Sequence, residues 1–155
     1  MMPRLPSAAR AAAFLLLLLA ALPPGGSGAQ QKSTAGSPSA VEWNCIKQTI
    51  SAQVNALKAG DAAKAFSFAS PVIRDQFGTP AHFLEMVRGG YGALIAARYT
   101  EFLEGAVIEG RIVQPLRLIA PDNTVLVALY TMEKQRDGVW KIAGCVLAPS
   151  SVQAA

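Results

Sequence analysis

One histidine and two cysteines in 155 residues leave this chain poor in the side chains that hold metals or attack substrates. His82 on its own makes neither a triad nor a metal site without a placed carboxylate. Cys45 and Cys145 stand 100 positions apart, which is neither a zinc-ligand spacing nor a CxxC redox pair. The sequence contains no CxxC, HExxH or GxSxG and no phosphate-binding glycine loop, so nothing in it asks for a cofactor or a metal. It has no internal repeat. Lys and Arg are scattered singly, without the basic cluster that nucleic acid or an anionic surface requires, and both are excluded as partners.

What is present begins with a polarised N-terminus. Residues 1–10 carry Arg4 and Arg10 and no acid, residues 11–22 are continuously apolar, and Pro23-Pro24 break the run. Ser27 and Ala29 then supply small residues at the −3 and −1 positions of a cleavage site. Together these describe a secretory signal peptide over residues 1–29, cut after Ala29. The other reading is an uncleaved membrane anchor, but a span needs about 20 apolar residues and this run is well short. No Cys follows the run and no Arg-Arg pair precedes it, which argues against a lipoprotein anchor and a twin-arginine route. The expected setting is periplasmic or secreted, with no membrane attachment after cleavage. Removing Arg4 and Arg10 lowers the formal net charge from +4 to about +2. Residues 30–40 are Ser, Gly, Ala, Gln and Pro with one charge, and read as a flexible leader. The body is expected over residues 41–148, and residues 149–155 as a frayed tail.

Within the body, Ile46, Ile50, Val54 and Leu57 recur at helical spacing, and Gly60 then Asp61 read as a stop and a new cap. A second helix over residues 62–69 ends at Pro71, and residues 72–77 read as a short helical turn. Thr79-Pro80 opens a third helix with Phe83, Leu84 and Val87 on its buried face, stopped by Gly89-Gly90. Four strand-like segments follow, over residues 99–108, 111–119, 124–133 and 139–147, joined by short turns at Glu109-Gly110, Pro121-Asp122-Asn123 and residues 135–138. Pro115 inside the second segment points to an edge or a bulge. The expected fold is α+β: three N-terminal helices packed on a curved four-stranded antiparallel sheet.

Helix, then Lys58-Ala59-Gly60-Asp61, then helix is similar to the opening of the NTF2-like (SnoaL-like, cystatin-like) superfamily. More closely, the chain resembles the bacterial DUF4864 family. The resemblance rests on Ala69-Ser70-Pro71-Val72-Ile73-Arg74, Gln76-Phe77-Gly78-Thr79-Pro80 and Phe83-Leu84-Glu85-Met86-Val87-Arg88-Gly89-Gly90-Tyr91. It continues through Val113-Gln114-Pro115-Leu116-Arg117, Leu129-Tyr130-Thr131-Met132-Glu133 and Asp137-Gly138-Val139-Trp140-Lys141-Ile142-Ala143-Gly144-Cys145. It covers about residues 45–147. It implies a cone-shaped fold with an apolar mouth and supplies no catalytic residues; fold alone assigns no function.

Arg74, Arg88, Tyr91, Gln114, Arg117 and Tyr130 fall in those segments. Converging on a cone mouth they would suit a small amphipathic or carboxylate ligand. Equally, Arg74 and Arg88 could tie helix ends or pair with Asp75 or Glu85. Glu101 or Glu133, if turned inward, would gain the raised pKa of a general acid or base; on the outer face each is merely solvated. An exported chain with an even cysteine count suggests a Cys45–Cys145 disulfide, stabilising by ~4.7 kcal/mol in the chain-entropy model, against two separate thiols. Strand alternation puts Cys145 on the face opposite Trp140 and Ile142, away from the helices, unless Gly144 hosts a bulge. Val125, Val127 and Leu129 alternate with Leu126, Ala128 and Tyr130, so both sheet faces are apolar and the outer one calls for a partner, a second copy for instance. Three functions remain open: a non-enzymatic binding module, a small isomerase, dehydratase or hydrolase built on a buried acid with Arg or Tyr support, and an envelope assembly factor without a small ligand.

Overall fold

The computed structural model describes residues 36–150. The expected signal peptide, residues 30–35 of the leader and residues 151–155 of the tail lie outside the described residues. Among those described, no helix is long and apolar enough to cross a membrane.

Helix α1 spans Ala40–Lys58 and starts on a capping box. The Ser39 hydroxyl accepts from the Glu42 N–H at 3.3 Å, and the Glu42 carboxylate accepts from the Ser39 N–H at 2.9 Å. Residues 38–40, taken as leader from composition, therefore belong to the fold. Ile46, Ile50, Val54 and Leu57 are all buried, as their spacing requires. Lys134 adds an ion pair to Glu42 at 2.7 Å, and these hydrogen bonds lower the Glu42 carboxyl from its ordinary 4.5 to about 2. A carboxylate with a depressed folded pKa contributes stability that is present above 4.5 and lost as pH falls toward 2. Glu42→Gln is expected to remove that stabilisation in the neutral region, so that the variant's denaturation midpoints lie below the parent's there and meet them as pH falls toward 2, which flattens this part of the acid limb.

The three expected helices are five. Asp61 caps α2 (Ala62–Ser67), accepting from the Lys64 N–H at 3.0 Å. Pro71 does not end a helix. It opens α3 (Pro71–Phe77), with Ser70 as the cap and proline at the first position, where its missing N–H costs nothing. Thr79 caps α4 (Pro80–Gly90) in the same way. Tyr91 then separates α4 from a single extra turn, α5 (Gly92–Ile95).

The sheet has five strands rather than four: β1 (Tyr99–Phe102), β2 (Ala106–Ile108), β3 (Arg111–Ile119), β4 (Val125–Lys134) and β5 (Trp140–Pro149). All ladders are antiparallel, in the order β1-β3-β4-β5, with β2 paired to the other half of β3. The single strand expected over residues 99–108 is broken at residues 103–105, opposite Pro115. The Pro115 carbonyl accepts from the Leu103 N–H at 3.1 Å, so its missing N–H faces the break, where no ladder bond is lost. Pro115 thus lies in a central strand, and the irregularity falls on its neighbour. Gln114 fills the gap. Its fully buried amide donates to the carbonyls of Leu103 at 2.8 Å and Pro115 at 3.0 Å.

Between β4 and β5 the register slips, with Thr131 opposite Gly144 but Met132 opposite Ile142. Ala143 is the extra residue of a bulge. Trp140 and Ile142 before it, and Cys145 and Leu147 after it, consequently all pack into the same core beneath the sheet. At the open edge of β5, residues 68–70 run alongside Ile142. The Ser70 N–H donates to the Ile142 carbonyl at 2.8 Å, and the Ile142 N–H to the Phe68 carbonyl at 2.9 Å. The link between α2 and α3 thereby covers part of an edge that would otherwise be exposed.

Candidate functional site

A cavity of about 300 Å³ lies between the helices and the inner face of β4 and β5, at the small end of ligand pockets. Helix α1 contributes Gln53 and Leu57. Helices α3 and α4 contribute Ile73, Phe77, Phe83 and Val87, and the strands close it with Tyr130, Ile142 and Cys145. Gln76 and Met86 line it while exposed to solvent and so mark the mouth. The Phe83 ring meets Phe66 at 5.4 Å, tilted, and Phe77 at 5.7 Å, edge-on, holding α2, α3 and α4 together as one wall.

Three polar groups meet on the inner wall. The Tyr91 hydroxyl donates to the Cys145 carbonyl at 2.6 Å. Tyr130 pairs with Cys145 across the β4–β5 ladder, and its side chain is 1% exposed. Its hydroxyl has no hydrogen-bonding nitrogen or oxygen within reach; its polar neighbours are the Cys145 thiol and Tyr91. Burial raises all three groups. The Cys145 thiol is pushed up to about 12 by desolvation, partly offset by the Tyr130 hydroxyl. Tyr91 is raised by desolvation and then by Cys145, and Tyr130, the most deeply buried, rises well above the ordinary phenol value. All three shifts disfavour ionisation near neutrality, and the thiol form of Cys145 is the less nucleophilic one.

Of the six residues expected to converge, Tyr91 and Tyr130 line the cavity and four do not. Arg74 is exposed on α3. Arg88 lies across the turn after α1, its guanidinium 3.4 Å from where a Cβ on Gly60 would stand. Gln114 is committed to the strand break. Arg117 pairs with Glu101 between β3 and β1. His82 is exposed in the first turn of α4, its Nδ1 2.9 Å from the Phe77 carbonyl and its ring edge-on to Phe77, which places it as a brace at the α3–α4 junction. Glu133 is exposed. Neither His82, Glu101, Glu133 nor Arg74 is among the residues that line the cavity. Among the described residues no group of three His, Cys, Asp or Glu could hold a metal ion.

The cysteines are not bridged; both are free. The bulge does turn Cys145 toward the helices, as a correction of strand parity requires. Cys45 fails to meet it, because the core-facing stripe of α1 begins one residue later at Ile46. Cys45 is exposed beside Glu42, Lys134 and Trp140, whereas Cys145 faces the cavity. A thiol reagent should therefore modify Cys45 rapidly and Cys145 slowly in the folded protein, with both reacting after denaturation. A bridge would leave neither reactive until reduced.

Sequence reasoning missed Gln53, Gln76, Met86 and the wall role of Cys145. Gln53 carried a signal, a polar amide inside an apolar helical stripe. It is 4% exposed and donates to the Ala65 carbonyl at 3.2 Å, tying α1 to α2 at the cavity floor.

The sequence profile of the family described as "Domain of unknown function (DUF4864)" matches residues 40–155, from the first residue of α1 onward. The chain belongs to that family. Neither a curated protein nor a solved structure matches it.

Proposed function

We propose that this DUF4864 chain is an exported, non-enzymatic binding module. Its N-terminal 29 residues direct export, its helices and sheet form an NTF2-like cone, and the cavity takes a small amphipathic ligand. The observation that carries the reading is the Tyr130 hydroxyl, buried in an apolar-walled cavity with no hydrogen-bonding nitrogen or oxygen in reach and only the weakly bonding Cys145 thiol beside it. A buried hydroxyl left unsatisfied costs about 1–3 kcal/mol, a cost that a ligand's hydrogen bond would relieve. The neutral, polarity-sensitive dye N-phenyl-1-naphthylamine is the test. One molecule should bind per chain, and binding should be lost in Met86→Trp, a substitution at a 44% exposed position of the mouth that leaves the core intact. No binding, or binding indifferent to Met86→Trp, would count against the reading. Export has its own check. The mature protein recovered from the cell envelope should begin at Gln30.

A second feature supports self-association through the outer sheet face. Leu129 and Val146 are cross-strand partners there, and they are 37% and 61% exposed. Val113, Val127 and Ile119 extend the same face, interrupted by the Arg117–Glu101 pair. A patch of this kind fits a second copy of the chain, each face covering the other. Mass in solution is the measurement. A strict monomer at high protein concentration would remove the dimer and leave the ligand reading untouched.

A further inference from the structure

We infer that the cavity is built for an electrically neutral ligand, with an apolar body and a single carbonyl or hydroxyl end that meets Tyr130, and that it rejects carboxylate and alkylammonium ions. The inference rests on the binding reading above and narrows it. Three observations carry it.

First, among the described residues no Asp, Glu, Lys, Arg or His lines the cavity. The two arginines nearest in sequence to its wall are engaged or turned away, Arg88 over Gly60 and Arg74 into solvent. An ion entering this space would leave water without gaining a counter-charge, which costs several kcal/mol. Second, the polar side chains that line the cavity are the Gln53 and Gln76 amides, the Tyr91 and Tyr130 hydroxyls and the Cys145 thiol, and burial disfavours ionisation of the hydroxyls and the thiol. They supply hydrogen bonds and no charge. Third, donors and acceptors are already apportioned. Tyr91 has donated to the Cys145 carbonyl, and Gln53 Nε2 to the Ala65 carbonyl. The Tyr130 O–H is the most deeply buried donor left without a nitrogen or oxygen acceptor. It lies deep at the sheet wall, opposite the mouth marked by Gln76 and Met86, so a ligand would enter polar end first and leave its apolar body against Phe77, Phe83 and Val87. A ketone or ester oxygen accepts from Tyr130. An alcohol could also donate to the remaining lone pairs of Tyr91.

Matched eight-carbon probes separate these chemistries: 2-octanone, octanoate and octylamine, each titrated against the whole folded chain by calorimetry at neutral pH, with N-phenyl-1-naphthylamine as a parallel probe of the cavity. The ketone should bind, and the two ions should bind at least about tenfold more weakly. Tyr130→Phe should weaken the ketone about fivefold, the loss of one hydrogen bond. The dye is held mainly by its aromatic rings against the apolar walls, so its binding in Tyr130→Phe should change by less than the ketone's, which shows that the variant keeps its cavity. Octanoate or octylamine binding as well as the ketone would overturn the neutral class and leave the binding module standing. A ketone affinity unchanged in Tyr130→Phe would overturn the assignment of the hydroxyl. Dye bound but no eight-carbon probe would sink the ligand class alone, and no dye with no probe would sink both readings.

Discussion

Ile50→Ala is expected to cost about 4 kcal/mol of folding stability, measured as a shift in urea midpoint at constant slope. Ile50 is 0% exposed at the middle of α1, in the core cluster that joins α1 to β3, β4 and β5. Truncating a large aliphatic side chain to Ala costs about 2–5 kcal/mol, with the larger losses where the surroundings cannot collapse into the void. Here the void is bounded by a helix on one side and a hydrogen-bonded sheet on the other, so relaxation is small. Against a total stability of about 5–15 kcal/mol the variant would sit near the edge of folding. Ser51→Ala, one residue on and exposed, is the control. It exchanges a poorer helix former for a better one in solvent and should change stability by less than about 0.5 kcal/mol. A loss below about 2 kcal/mol at Ile50 would mean that α1 does not pack through this face. The same variant bears on the site, because Gln53 and Leu57 follow on the same helix and wall the cavity.

How far such features can be read from sequence depends on their range. The α1 stripe, the caps at Asp61 and Thr79 and the Glu109-Gly110 turn all follow from neighbours within one or two helical turns or one hairpin. The turn residues adopt φ of 51° and 75°, as a two-residue hairpin turn demands. Pro71 was ambiguous because proline both ends and begins helices; only the Ser70 cap decides it. The bulge at Ala143 was half legible. Alternation exposed the conflict between Trp140 and Cys145, but its resolution depends on the Met132–Ile142 register across the sheet. The site was the least legible. Tyr91 and Tyr130 stood out as polar aromatics in apolar segments, yet their junction at Cys145 joins residues 54 positions apart in the chain for one of the two. The arginines misled because sequence does not show which way a long side chain turns: Arg74 is exposed on α3, Arg88 lies over the turn at Gly60, and Arg117 pairs with Glu101 across the β1–β3 ladder. Apolar walls such as Ile73 and Val87 look in sequence like any core residue.

Gly105→Ala is expected to destabilise by about 2 kcal/mol, a large effect for one methyl group at a site that looks like an ordinary strand residue. A Cβ at Gly105 would stand 2.3 Å from one carbon of the Trp43 indole and 2.6 and 2.8 Å from two others. Those distances lie inside van der Waals contact, so either the indole or residues 103–105 must move. The indole is constrained, since Trp43 is on the first turns of α1 and packs against the core below the sheet. The backbone is constrained too, since Leu103 is bonded to the Pro115 carbonyl and held again by Gln114. This close approach falls in the break between β1 and β2, opposite Pro115. Only glycine lets the chain pass beneath the ring between β1 and β2. Trp43→Ala should itself cost about 3 kcal/mol through lost burial. In that background Gly105→Ala should be nearly neutral, giving a coupling of about 2 kcal/mol in a double-mutant cycle. Additive losses would place the penalty in the backbone of residues 103–105 and not in the ring. The readout is equilibrium denaturation of all four variants, with circular dichroism as the probe common to chains with and without Trp43.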